Sequence, residues 1–226
     1  MKALFINGSP RKNWTTFKMI DQAMKGAADA GADAELIHLY DYDFKGCRSC
    51  FACKLKNAKT NGVCAIKDCL RPILEKAHDA DVLVIGSPIY FGRPSGVVHS
   101  FMERLLYPVL ASNPKKDEKT GEYKMSLLGK RIPNAVIYTM GATEKDFYNL
   151  NYPIKLEEDR KFLELLYGET EMLCTHDAYQ YADYSKIDIL EGIEERRAKQ
   201  RDEVFPKDLE ASYELGKRLV EKARSV

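Results

Sequence analysis

Short apolar runs bounded by turn residues recur along the chain at 2–6 (KALFI), 34–39 (AELIHL), 81–86 (DVLVIG) and 135–140 (AVIYTM), with a fifth inside 171–181. Runs of that length beside Gly, Asn or Pro predict buried strands. Between them, apolar residues fall at helical spacing. Phe17, Met19, Ile20, Ala23, Met24 and Ala27 share one face of a helix predicted over 15–30, which Gly31 stops. Further helices are predicted over 70–78, 96–106 and 154–167, and the charged remainder to 226 reads as mostly helical. Residues 41–69 form a long cysteine-bearing loop. Residues 111–130 are polar and lysine-rich and read as an exposed insertion.

Strands alternating with helices predict βαβ units and a parallel sheet covered on both faces. The fold class is α/β: a flavodoxin-like, doubly wound sheet of five parallel strands in the order 2-1-3-4-5, with a helical C-terminal extension. The expected organisation is one domain over 1–183 and a charged helical extension over 184–226. Ligands in such sheets bind beyond the carboxyl ends of the strands, at the switch point between strands one and three. The loops to read therefore follow residues 6, 86 and 140.

Composition narrows the picture. The chain has 226 residues and 45% apolar content, ample for a core. Its 35 basic and 34 acidic residues leave a net charge of +1, so no global field draws it to nucleic acid or to an anionic membrane. No apolar run has the length of a membrane span. The first apolar run is too short for a signal peptide and stops at Asn7-Gly8-Ser9-Pro10. A cytoplasmic location is expected, where thiols stay reduced, so the six cysteines need a role other than structural disulfides.

The first loop, GSPRKNWTT over 8–16, follows a strand and opens a helix. Helix N-termini offer free N–H groups and the positive end of the dipole. Ser9, Thr15 and Thr16 add hydroxyls, and Arg11 adds a forked cation. The loop is neither GxxxxGK[ST] nor GxGxxG, which argues against an ATPase loop or a dinucleotide fingerprint. A polar turn with a Thr N-cap is the plainer alternative, and the place of the loop in the sheet favours phosphate. The second loop, GSPIYFGRPSG over 86–96, either walls a flat ring with its aromatics or tucks them into the core. The third, Thr139 to Thr143, matters because the fold sets it beside the other two.

Together these loops resemble the flavodoxin-like NAD(P)H-dependent FMN reductase family over roughly residues 1–180. The resemblance implies that Ser9, Arg11, Lys12, Asn13, Thr15 and Thr16 hold the phosphate and ribityl end of FMN. Pro88, Ile89, Tyr90, Phe91 and Gly92 would line the flavin ring, and Thr139, Met140, Gly141 and Ala142 would complete its polar edge. Trp14 departs from the family, which usually has Gly there. A bulky residue either lies over the ligand or reshapes the loop.

Residues 46–69 read GCRSCFACKLKNAKTNGVCAIKDC. Cys47, Cys50 and Cys53 have the two-residue spacing that lets thiolates converge on one centre, and Cys64 follows. Four thiolates also suit zinc. Nearby Lys45, Arg48, Lys54 and Lys56 favour thiolates. The order of these four cysteines resembles that of the iron–sulfur flavoproteins, a branch of the same superfamily, and implies a candidate [4Fe–4S] cluster, although the last interval is longer here. Relatives with a similar pattern need not carry a cluster, so a cluster, zinc and metal-free thiols all stand as readings. Cys69 and Cys174 are expected to be buried small hydrophobes.

Other features read as structural. His38 and His78 are expected to pack, and so is His99 on the plainer reading, with a place nearer the site, on the helix after the second loop, as its alternative. His176-Asp177 has no nucleophile motif beside it. The stretch EGIEERRAKQRDE reads as a solvated helix, and Phe101, Leu105 and Tyr107 as core or subunit interface.

The resemblance implies an FMN-dependent enzyme that takes electrons from NAD(P)H and passes them to a quinone, flavin or other small acceptor. No catalytic acid or base is assigned. A second reading is an electron carrier linking a [4Fe–4S] cluster to FMN and to a protein such as ferredoxin. A third is a non-enzymatic redox or phosphate-ligand sensor that has lost flavin through Trp14. The family implies a homodimer or homotetramer.

Overall fold

The computed structural model describes residues 1–57, 60 and 62–225. Residues 58, 59 and 61 of the cysteine-bearing loop and 226 of the predicted extension lie outside the described residues. Strands β1 (Lys2–Asn7), β2 (Asp33–His38), β3 (Val82–Tyr90), β5 (Asn134–Thr139) and β6 (Thr170–Thr175) form a parallel sheet in the order β2-β1-β3-β5-β6. That is the predicted order. A two-residue strand, β4 (Arg93–Pro94), pairs antiparallel with the end of β3.

Alternate side chains of each strand enter different cores. Ala3, Phe5, Val82, Val84, Ala135 and Ile137 face α1 (Thr15–Asp29) and α7 (Phe205–Ser225). Leu4, Ile6, Leu83, Ile85, Val136 and Tyr138 face the other way, toward α2 (Arg71–Asp79), α3 (Gly96–Val109) and α5 (Tyr152–Leu166). With both faces covered, these strands need continuous apolar runs, and that made them legible. Among the described residues, no helix is long and apolar enough to cross a membrane.

Two elements were not expected. The second loop, read as irregular over 86–96, instead prolongs β3 to Tyr90 and folds into a hairpin. Its two-residue turn, Phe91-Gly92, has φ of 52° and 76°, the left-handed pair that suits a strand twist. Helix α4 (Glu144–Asn149) starts on Thr143, whose hydroxyl accepts the Asp146 N–H at 3.1 Å.

The C-terminal segment packs rather than trails. Between α6 (Ile193–Lys199) and α7 the backbone makes one π-helical stretch at Gln200–Val204, and α7 then lies along α1. The stretch expected as a solvated helix is helical and mostly exposed, and Arg197 departs from the expectation. It is buried, because Asp177 and the carbonyl of Gly141 draw its guanidinium inward. The insertion at 111–130 is mostly exposed and folds back on itself, with Leu110 bridging Ser126 and Lys116 bridging Tyr123.

Candidate functional site

Beyond the carboxyl end of β1, Asn7 is buried. Its Oδ1 accepts the Ser9 N–H at 2.9 Å, and its Nδ2 lies 2.9 Å from His38 Nδ1. His38 stacks on Phe17, so its structural reading holds, and burial lowers its pKa. Ser9 Oγ accepts the Arg11 N–H at 3.1 Å and shapes the turn.

Helix α1 begins with Trp14 at its N-cap and has no side-chain cap. Lys18 N–H, bonded to the Trp14 carbonyl at 2.9 Å, is the first in the helix with that partner. The N–H groups ahead of it point toward the loop, as an anion site requires. Thr16 Oγ1 lies 2.7 Å from Thr139 Oγ1 and ties the first loop to the third. Ser95 joins the second loop to the first: its Oγ donates to the Gly8 carbonyl at 2.8 Å, and its N–H donates to Ser87 Oγ at 2.9 Å.

A cavity of about 90 Å³ opens at this junction. Of the sequence-predicted residues, Ser9, Arg11, Thr15, Thr16, Pro88, Ile89, Tyr90, Thr139, Met140 and Gly141 line it. Lys12, Asn13, Phe91, Gly92 and Ala142 do not. Lys12 turns outward to Asp41 at 2.6 Å, Asn13 is exposed, and Phe91 stands 98% exposed at the hairpin tip.

The cavity has a wall that the sequence reading missed, made of Ala178, Tyr179 and Gln180. Arg11 donates to the Gln180 carbonyl, and Trp14 Nε1 donates to the Tyr179 carbonyl at 3.1 Å. Arg11 also lies over the Trp14 ring, 5.1 Å from its centroid. Trp14 therefore reshapes the edge of the loop by gripping this segment.

The residues fit FMN at its phosphate end. The uncapped helix start, the hydroxyls of Ser9 and Thr15 and the Arg11 cation suit a dianion. The same cavity runs from these groups past Pro88, Ile89 and Tyr90 on one side and Met140 and Gly141 on the other, toward the exposed Tyr90 and Phe91 hairpin.

The cysteine loop is tied to α3. Arg104, 1% exposed, bonds both oxygens of Asp68 at 2.6 and 2.8 Å and the Lys45 carbonyl at 3.1 Å. That guanidinium holds the Asp68 carboxyl below its usual range. Glu103 accepts the Cys47 N–H at 2.9 Å, and Lys54 donates to the Leu110 carbonyl.

Cys64 is buried, Cys53 half-buried, and Cys47 and Cys50 exposed. Burial pushes the Cys53 thiol up, against Lys54 and with the charges of Cys64 and Cys47. The Ala52 N–H and Arg48 bring Cys50 down. Among the described residues, no three His, Cys, Asp or Glu are gathered to hold a metal. The four thiols thus do not fit a cluster in this arrangement.

Cys69 is exposed rather than buried, because its Sγ donates to the Asp43 carbonyl at 3.1 Å on the outside of the loop. Cys174 is only half-buried, at the sheet edge on β6, yet burial of its thiol raises the pKa to about 12. His99 is not among the residues that line the cavity at the three loops. It lines a larger, mainly apolar groove of about 510 Å³ with Cys47, Phe51, Tyr107 and Phe162. Phe101 and Leu105 are fully buried core.

Residues 1–127 match a family model described as NADPH-dependent FMN reductase. An iron-sulfur flavoprotein of Archaeoglobus fulgidus is 41% identical over 104 residues, covering 46% of this chain and 48% of that protein. One from Methanocaldococcus jannaschii is 36% identical over 104 residues, covering 46% and 51%. The chain spans about half the length of the curated relatives it matches. Among solved structures, an NAD(P)H:quinone oxidoreductase from Methanothermobacter marburgensis has a TM-score of 0.63 at 14% identity, over 97% of this chain and 98% of that one. An azoreductase from Bacillus anthracis has a TM-score of 0.64 at 13% identity, over 96% and 99%. At such identity the likeness is one of fold.

Proposed function

The chain belongs to the NADPH-dependent FMN reductase family, and on that premise we propose that it holds FMN at the loops after β1, β3 and β5 and passes electrons from NAD(P)H to a small acceptor such as a quinone or free flavin. The observation that carries this reading is the uncapped start of α1. It opens beneath loops from three adjacent parallel strands, with Arg11, Ser9 and Thr15 around it.

When bound, FMN supplies the chemistry, accepting a hydride and handing on two electrons. The chain's own residues bind and orient. Arg11, steadied by the Gln180 carbonyl, and the first-turn N–H groups of α1 hold the dianion. Pro88, Ile89 and Tyr90 give the ring a fixed wall, because Ser87 and Ser95 lock the hairpin base. Met140 and Gly141 face it from the third loop. No nucleophile is needed.

The order of Cys47, Cys50, Cys53 and Cys64, with relatives named iron-sulfur flavoprotein, favours one second reading: an electron carrier whose cysteines hold a [4Fe–4S] cluster and whose partner is a redox protein such as ferredoxin. It requires a rearranged cysteine loop.

Anaerobic purification followed by a visible spectrum, iron and acid-labile sulfide analysis and addition of NADH or NADPH tests both. A two-banded flavin spectrum that NAD(P)H bleaches, without iron, is expected. Equimolar iron and sulfide would put the carrier first. A colourless protein that takes up no added FMN would overturn the proposal.

A further inference from the structure

The loop that follows β5 is not held by its own residues. Its backbone is stitched to the chain beyond β6: Met140 N–H to the Thr175 carbonyl at 3.0 Å, Asp177 N–H to Ala142 at 2.8 Å and Ala178 N–H to Met140 at 2.9 Å. Asp177 sits in the left-handed region, at φ 48°, and is buried. Its carboxylate receives Arg196 through two bonds of 2.6 and 2.8 Å, and Arg197 Nε at 3.5 Å.

Arg197 then continues past Asp177. Its Nη2 donates to the Gly141 carbonyl at 3.3 Å, and its Nη1 is buried with no partner. A Cβ on Gly141 would meet Gln180 Nε2 and this guanidinium, so the loop backbone lies directly against the cation.

The charges are paired unevenly. Two guanidiniums share the Asp177 carboxylate, and Arg196 takes its close bonds, leaving Arg197 the incompletely paired cation. Arg196 is 48% exposed and has Asp146 near it, so solvent and that carboxylate screen it. The Arg197 side chain is 9% exposed, so the incompletely paired cation sits on the dry side, behind Gly141. A buried, incompletely paired cation costs stability. A ligand that gains negative charge on the other face of the loop would offset that cost.

We propose that Arg197 is a positioning residue for the loop Thr139–Ala142, and that its buried charge makes the site hold reduced flavin more tightly than oxidised flavin. This rests on the flavin reading. It also gives residues outside the family match at 1–127 a role at the site.

The test compares wild type with Arg197→Met, Arg197→Lys and Lys199→Met. The last removes an exposed cation from the same helix and controls for net charge. In Arg197→Met, reduced FMN is expected to lose about tenfold more affinity than oxidised FMN, a shift of about 30 mV to more negative potential for a two-electron couple. Amide exchange at 140–142 should quicken in the same variant. Arg197→Lys keeps the charge and should recover most of the potential without restoring exchange protection. Lys199→Met should change neither.

A folded Arg197→Met with wild-type potential and exchange would overturn the proposal. If that variant does not fold, Arg197→Lys decides: exchange at 140–142 equal to wild type would overturn it. If wild type takes up no FMN, the flavin reading falls, and the exchange comparison in flavin-free protein tests positioning alone.

Discussion

His78 sits at the end of α2 with Nδ1 2.9 Å from the Tyr167 hydroxyl and the two rings stacked at 6.0 Å. Burial lowers its pKa from 6.5 to about 4, against the weaker pull of Asp79 and Glu75. The folded state thus resists a proton that the unfolded chain accepts. The contribution is full above pH 6.5 and is lost as pH falls from 6.5 toward 4, worth on the order of 3 kcal/mol. Urea midpoints measured from pH 7.5 to 4.5 should fall in wild type and fall less in His78→Gln. Parallel slopes would contradict the assignment. The pairing of His78 with Tyr167 joins residues far apart in sequence, so the sequence could label this histidine structural without naming its partner. Arg197 was hidden for a related reason. Charged residues on a helix read as solvated, and only the fold brings Asp177 and the Gly141 carbonyl to it.

At the scale of elements, α1 and α7 approach closely through reciprocal small residues. A Cβ at Gly216 would fall on the Ala23 carbonyl, and one at Gly26 on the Tyr213 carbonyl, while Ser212 Oγ donates to the Met19 carbonyl at 2.6 Å. Gly216→Leu should therefore force the helices apart and cost about 3 kcal/mol or more, read from urea denaturation at pH 7.5. An unchanged midpoint would contradict the packing. The central strands β1, β3 and β5 were legible because burial on both faces demands unbroken apolar runs, whereas the edge strands β2 and β6 carry charged and polar residues among their apolar ones. The hairpin Ile89–Pro94 was not, because Pro88, Gly92 and Pro94 gave the composition of a loop, and its turn has Phe91 at a left-handed position where Asn or Asp before Gly is the usual signal. Helix α4 carried a readable signal in Thr143-x-x-Asp146. The 178–180 wall carried none, since Arg11 and Trp14 grip it by backbone carbonyls, which any side chain would present.

For the whole molecule, a doubly wound sheet brings three loops from one edge of the strands to one place, and the chain beyond β6 closes over them. On the proposed reading, the phosphate of FMN would sit at the dipole end of α1, beside Arg11, Ser9 and Thr15. The site should therefore grip FMN mainly by its phosphate. The most direct measurement is equilibrium titration of flavin-free protein with FMN and with riboflavin, which has the same ring and ribityl chain without the phosphate. Each charge-assisted bond lost is worth roughly 1.5–3 kcal/mol, so FMN is predicted to bind at least about 100-fold tighter than riboflavin. Equal affinity for the two would contradict the phosphate site on which the account rests.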